Sequence, residues 1–342
     1  MSHHPVLVVT PPMLAEYPQA FAPLAALGVD VRINTGAYPM DGQALAAYIG
    51  DADAAIVGLD HLSADVFAAC PNLRIVARNG VGVDNVDLDA ATAHGVLITV
   101  PYGANSTSVA ELALGLLLTL ARRVIPTHAR VQSGVWRREP GLELSGKTLG
   151  IIGLGRIGKR VAVRAQAFEM RVIANDIAPD EAFAAAHGIP FVTREALLAE
   201  CDVLSLHVPL TPLTHHLINR PALAQMKPGA ILINTARGPV IDARALADAL
   251  DSGHLAGAAL DVHTVEGQVE PFLLGRDNLI TTTHLGAYTH DSLIKTTIAA
   301  VDSLLQFWQQ EAIPNLINPE AALNASAVRV QHPTQSKEQD HG

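Results

Sequence analysis

Short apolar runs alternate along the chain with longer Ala-rich stretches whose apolar positions recur at helical spacing. Residues 6–9 read Val-Leu-Val-Val, a buried strand, and 29–33, 54–57, 73–76 and 96–98 read likewise. Helical patterns lie between them, over 42–49 and 87–93 for example. A second series starts at Lys147, with strands at 149–152, 172–174, 203–206, 230–233 and 258–260 and helices at 156–168 and 242–250. Strands separated by helices predict βαβ units, so the fold class is α/β, with two doubly wound, Rossmann-like parallel-sheet domains. Between the two series, 106–123 is apolar nearly all round and is expected to be a helix buried between domains or between subunits. The periodic stretch 291–310 follows the second sheet and is expected to return to the first unit. From Asn324 the composition turns polar, and disorder is expected there, with 331–342 a polar tail.

Composition narrows the function classes. A length of 342 residues suits two domains. Aromatics make up only 4%, and the Ala, Leu, Val and Ile that dominate the apolar mass favour helices on buried parallel strands over a β-sandwich. The formal net charge of −10 argues against nucleic acid as a partner, which needs a concentrated positive patch. Cys70 and Cys201 are too few for a disulfide scaffold or a Cys-rich zinc site, and no metal is expected. Met1 to Pro5 lacks the basic-then-apolar pattern of a signal peptide. The longest apolar run, 112–121, is about half of the ~20 residues that span a bilayer. A cytoplasmic protein with no membrane partner is the expectation.

One turn carries a nucleotide signature. Gly153-Leu154-Gly155-Arg156-Ile157-Gly158 follows a strand and opens a helix. Gly153 allows a tight turn, Gly155 lets backbone approach a pyrophosphate, and Gly158 lets helix and strand pack closely. The helix N-terminus then offers free N–H groups to phosphate. Asp176 ends the next strand, where an acid accepts hydrogen bonds from the adenosine ribose. A 2′-phosphate placed ~4 Å from that carboxylate costs ~1–4 kcal/mol, depending on dielectric. Residues 177–180 are Ile, Ala, Pro and Asp, with no Arg to offset the repulsion, so NAD is expected over NADP.

Three further residues follow strand ends in the same half. Arg237 follows the strand ending at Asn234, Glu266 the strand ending Leu260-Asp261-Val262, and His284 a short strand over 279–281. Carboxyl ends of parallel strands form the ligand crevice of such sheets. Singly, Arg237 suits a surface ion pair, Glu266 a solvated loop, and His284 is one of 15 histidines. Together they suit oxidation of a 2-hydroxy acid. The His takes the hydroxyl proton, the carboxylate orients the His, and the Arg fork holds the substrate carboxylate.

At this point a family resemblance is evident. The chain resembles the D-isomer-specific 2-hydroxyacid dehydrogenases, in their 3-phosphoglycerate dehydrogenase-like branch. The motifs that carry it run in order from about Leu73 to Thr289. They include Ala77-Arg78-Asn79-Gly80-Val81-Gly82-Val83-Asp84, Gly146-Lys147-Thr148-Leu149-Gly150 leading into the glycine turn, His207-Val208-Pro209-Leu210-Thr211-Pro212, Met226-Lys227-Pro228-Gly229-Ala230 and Gly257-Ala258-Ala259-Leu260-Asp261-Val262. The resemblance implies an NAD domain (106–287) inserted into a discontinuous flavodoxin-like substrate domain (1–105 and 288–330), with the active site in the cleft between them. It implies that Arg237 binds substrate, that Glu266 partners the histidine and that His284 is the acid/base. By the same likeness Val81 and Gly82 offer backbone N–H groups to the substrate carboxylate, and Arg78 reaches a second anionic group. The glycine turn with Arg156 and Ile157, then Asp176, His207, Val208, Pro209, Thr235, Ala236, Asp261 and Gly286, would surround NAD. A homodimer is implied as well, with the 106–123 helix and the segment around Trp136 suited to the contact.

Some positions depart from the family pattern. The family's Glu-Pro pair after Ala-Leu-Asp-Val is here Glu266-Gly267, and Glu270-Pro271 comes later. Glu266 keeps the expected offsets from Asp261 and His284 and is preferred over Glu270. Thr283 replaces the usual Pro before the histidine, Thr99 stands where Asn is common, and the loop 101–105 is one residue longer. These changes lie near the substrate, a small 2-hydroxy or 2-keto acid, and leave its identity open. No room is seen for the regulatory C-terminal domain of some phosphoglycerate dehydrogenases. The alternatives are an NAD(H)-sensing, corepressor-like binding protein and the same fold acting on a formate- or phosphite-type donor.

Overall fold

The computed structural model describes residues 4–323; the polar stretch from residue 324 lies outside the described residues. The chain divides into two compact units, one made of 4–105 and 290–323 and the other of Ser106–Thr289.

The first unit is a five-stranded parallel sheet. Its strands are β1 (Val6–Val9), β2 (Asp30–Ile33), β3 (Ala54–Val57), β4 (Ile75–Arg78) and β5 (Leu97–Thr99), in the order β2-β1-β3-β4-β5. That is the flavodoxin-like order. Apolar runs buried on both faces explain β1, β3 and β4, as a sheet covered by helices on each side requires. Two readings need correction. β2 is an edge strand with alternating exposure, not a buried one, because its polar residues Asp30 and Arg32 pair with each other at 2.8 Å on the open side. β4 begins two residues later than its hydrophobic run suggests, since Leu73 closes a turn onto Cys70. The helix His290–Trp308 belongs to this unit and buries Leu293, Val301, Leu304 and Phe307 among Leu7, Val9 and Ile75.

The second unit is a six-stranded parallel sheet. Its strands are β6 (Thr148–Ile152), β7 (Arg171–Asn175), β8 (Val203–Leu206), β9 (Ala230–Asn234), β10 (Leu255–Leu260) and β11 (Leu279–Thr281), in the order β11-β10-β9-β8-β6-β7. A lone parallel bridge from Ala174 to Phe191 extends the β7 edge. Strand order reverses between β6 and β8, and ligands of doubly wound sheets bind at such a switch point. The helix Ser106–Ala121 covers one face, burying Val109, Ala110, Ala113, Leu114, Leu116 and Leu117. It ends earlier than its hydrophobic pattern, because Arg123 turns left-handed at φ 53° and a second helix, Val124–Gln132, starts there with no buried residue. Among the described residues no helix is long and apolar enough to cross a membrane.

Candidate active site

The glycine turn joins β6 to the helix Arg156–Ala167, whose Gly158, Val161, Ala162 and Ala165 form its buried face at helical spacing. Gly153 takes φ +95°, and a Cβ there would lie 2.5 Å from the carbonyl oxygen of His207, the first residue after β8. The two sides of the switch point therefore touch through that glycine. A Cβ on Gly158 would meet the Gly153 carbonyl at 2.2 Å, whereas one on Gly155 would meet nothing within 4 Å. Backbone is thus packed tightly below the turn and open above it.

The start of this helix differs from those of four other helices in the unit. The helices Glu181–His187, Arg194–Glu200, Arg220–Gln225 and Ala243–Asp251 are capped by side chains of Asp180, Thr193, Asn219 and Asp242. The glycine-turn helix has no side-chain cap and no acid in its first turn. Its first N–H groups keep their donors and partial positive charge for an anion. Asp176 accepts from the N–H of Leu154 at 2.7 Å and of Ala178 at 2.9 Å, one on each oxygen. Each oxygen has a lone pair left for a ribose hydroxyl. Past β9, Thr235 is buried and its Oγ1 has no hydrogen-bond partner, while the N–H of Ala236 is spent on Asn234. Val208 and Pro209 follow His207, whose Nε2 lies 2.8 Å from Ser205 Oγ and whose Nδ1 is buried without a partner. Burial pushes the His207 imidazole down to about 4. An uncapped helix start, an open glycine, a ribose acid and unmatched buried polar atoms fit a dinucleotide.

The titratable residues meet one strand further along. His284 Nδ1 lies 3.0 Å from Glu266 Oε1. A carboxylate only accepts, so Nδ1 carries the proton and Nε2 is left as the nitrogen that exchanges protons with a ligand. Glu266 occupies the second position of a tight turn closed by the N–H of Gln268 on the carbonyl of Val265 at 3.1 Å, with Gly267 at φ +81°. His284 itself is left-handed, φ 58°, and is held there by Asp261. The carbonyl of Asp261 accepts from His284 N at 2.9 Å. Its buried carboxylate accepts from Thr282 Oγ1 at 2.6 Å, Leu285 N at 2.7 Å and Gly286 N at 2.8 Å. The N–H of Gly286 is thereby spent within the protein.

Arg237 donates to the carbonyl of Ala236 at 2.7 Å and is half-buried. Its neighbour Gly238 is pressed against the chain at His263, where a Cβ would come within 2.1 Å of that backbone. The Arg237 turn thus abuts the start of the Glu266 loop.

A model of the D-isomer specific 2-hydroxyacid dehydrogenase NAD-binding domain matches residues 114–286. The chain belongs to this family. It is 42% identical over 298 residues to D-3-phosphoglycerate dehydrogenase of Mycobacterium leprae, covering 86% of this chain and 56% of that protein. The chain therefore spans about half the length of that relative. Hydroxypyruvate reductase of Thermotoga maritima is 42% identical over 250 residues, 72% of this chain and 81% of that one. Among solved structures, D-lactate dehydrogenase from Aquifex aeolicus complexed with NAD and lactic acid superposes with a TM-score of 0.78 at 31% identity, covering 93% of this chain and 98% of that one.

The matched family model is that of an NAD-binding domain, and its residues 114–286 fall within the second unit. One expected contact does not survive. Arg78 is only 4% exposed, and all five of its N–H groups are directed inward. Nε and Nη2 reach the carbonyl of Gly82, Nη1 reaches those of Val57 and Gly58, and Nη2 also reaches Asn85 Oδ1. Arg78 shapes the loop after β4 and has no donor left for a substrate anion. Val81 and Gly82, in the loop it braces, are half-buried. Sequence reasoning passed over His263 and treated Glu270 only as a rival of Glu266. The structure pairs these two with each other, and the signal was a second acid–imidazole set in Asp261-Val262-His263 and Glu270-Pro271.

Proposed function

We propose that the protein interconverts a D-2-hydroxy acid and its 2-keto acid by hydride transfer with NAD. The 3.0 Å contact between His284 and Glu266, on the same sheet as the switch point, carries this reading. Bound NAD supplies the hydride acceptor. His284 takes the hydroxyl proton on Nε2 and returns it in the reverse direction. Glu266 holds the ring in the tautomer that leaves Nε2 free and stabilises the charge that forms. Arg237 receives the substrate carboxylate. The unit of 106–289 serves the nucleotide and the unit of 4–105 and 290–323 the acid. Because Arg78 is fully engaged, an unphosphorylated acid such as hydroxypyruvate or glyoxylate is favoured over 3-phosphoglycerate. The proposal extends to a cytoplasmic homodimer in contact through the apolar segment that follows helix Ser106–Ala121.

Oxidation of NADH and NADPH with a panel of 2-keto acids tests the activity and the cofactor together. NADH is expected to be preferred at least about fivefold, the low end of an uncompensated carboxylate–phosphate repulsion of ~1–4 kcal/mol. Silence across the whole panel would leave the binding-protein alternative, and equal use of both cofactors would remove Asp176 as the discriminator.

A further inference from the structure

A second acid–imidazole pair lies on the same two loops as the first. His263 and Glu270 stand at opposite ends of the loop that carries Glu266. Glu270 Oε1 accepts from the N–H of Thr264 at 3.1 Å, which closes the base of that loop. His263 Nε2 lies 3.1 Å from the carbonyl of Thr282, two residues before His284. The remaining atoms of the pair, His263 Nδ1 and Glu270 Oε2, face each other at 3.7 Å. Both are buried and neither has a hydrogen-bond partner. The small cavity the two residues line is otherwise walled by Ile241, Leu246, Leu260 and Leu273 and neighbours that do not titrate.

Proton bookkeeping follows from these contacts. A carbonyl only accepts, so Nε2 carries a proton to donate to Thr282. If Nδ1 were bare, a lone pair and a carboxylate oxygen would confront each other away from water, each unsatisfied. One further proton between Nδ1 and Oε2 removes both penalties. Burial alone would raise the Glu270 carboxyl, but hydrogen bonding to Thr264 and the facing His263 outweigh it and hold the group below the usual carboxylate range. One proton held between Nδ1 and Oε2 closes this contact, and the two residues form a buried acid–imidazole pair.

Building on the dehydrogenase reading above, we infer that His263 and Glu270 are positioning residues for hydride transfer: their pairing ties the Glu266 loop to the His284 segment and sets the distance between the two catalytic side chains. Neither touches the reacting atoms. The buried pair replaces nothing chemical; it fixes where Glu266 presents its carboxylate. Breaking one partner leaves the other buried and unmatched, so the two act as a unit.

The test is a double-mutant cycle of His263→Phe and Glu270→Gln in the full chain, read as kcat and KM for keto-acid reduction and as NADH affinity by fluorescence. Each single variant is expected to lose about tenfold or more in kcat, in the lower range of catalytic geometry effects. NADH affinity should stay within about twofold, and the double variant should be no worse than the singles. His263→Gln, whose amide can still donate to Thr282, should recover part of the loss. Wild-type kcat in both single variants, or losses that multiply in the double, would overturn the inference. If the variants fail to fold, nitrogen-resolved NMR of the wild-type imidazoles decides. Two N–H groups on His263 at neutral pH support the pair, and a bare Nδ1 rejects it. That spectrum is independent of turnover, so a chain that oxidises no NADH would refute the dehydrogenase reading and leave only the buried pair itself standing.

Discussion

His284 combines two properties that ordinary surface histidines lack, a carboxylate on Nδ1 at 3.0 Å and a left-handed backbone at φ 58°. For a residue with a Cβ that backbone costs on the order of 1 kcal/mol, and it is stable here because Asp261 overdetermines the segment from 282 to 286. Stability and turnover should therefore separate. His284→Ala is expected to lower turnover at least ~10²-fold, the low end for general acid–base catalysis. His284→Gly should be equally inactive yet unfold no earlier than the Ala variant, and later by up to ~1 kcal/mol. A loss below about tenfold would take the acid/base role from this residue. His207 offers a test with the opposite sign. Its imidazole is held near 4 in the fold by burial, against an ordinary value of 6.5. The unfolded chain thus binds the proton first as pH falls, so stability is intact above 6.5 and is lost progressively down to about 4, by at most about 3 kcal/mol. Urea unfolding of the apoprotein at about pH 7.5 and pH 4.5 should show this drop, and His207→Gln should make it smaller. An equal drop in that variant would assign the loss to other groups.

Among the elements, the loop from Thr264 to Glu270 departs most from what the sequence motif suggests. A Pro after the catalytic acid would fix φ near −65°, whereas Gly267 takes +81° as the third residue of a tight turn. The turn, not a proline, aims Glu266 at His284. Gly267→Pro is expected to abolish the turn and cost at least about tenfold in kcat, while Gly267→Asn, which tolerates a left-handed backbone, should keep most of the activity. Undiminished kcat in the Pro variant would show that the turn does not position the acid. This loop also marks where the sequence was readable. Offsets from Asp261 and His284 singled out Glu266 over Glu270, and it is Glu266 that lies 3.0 Å from His284, because strand ends and their spacing survive in the chain order. Buried apolar runs located β1, β3, β8 and β9 for the same reason, since both faces of those strands are covered. The edge character of β2 was hidden, as exposure depends on which strand lies beside it. Nothing local marks Arg123 as the end of a helix, because a left-handed arginine is set by the chain around it. The inward turn of Arg78 was equally invisible, since it depends on carbonyls of Val57 and Gly58 from another strand.

At the scale of the whole molecule, the segment following helix Ser106–Ala121 is not accounted for by a single chain. Helix Val124–Gln132 buries none of its residues, and Val124, Ile125, Val131, Val135, Trp136 and Leu142 are all exposed. Trp136 is 82% exposed. Its polar neighbours are organised, with Glu139 bound by Arg123 at 2.9 Å and by Arg130 at 3.0 Å, so the segment is shaped without being covered. Covering a Trp buries roughly 150–250 Å², worth several kcal/mol at ~25 cal/mol per Å². A two-fold contact does this twice. The wild-type chain is therefore expected to sediment at twice its monomer mass, with Trp136 emission shifted to the blue. Trp136→Glu and Ile125→Glu should each drive it towards monomer at micromolar concentration, because a buried unpaired carboxylate costs several kcal/mol at such a contact. The second tryptophan, Trp308, lies in the other unit and serves as the internal reference. A wild-type chain that sediments as a monomer, with Trp136 emission typical of water, would show that this apolar segment serves something other than a second copy.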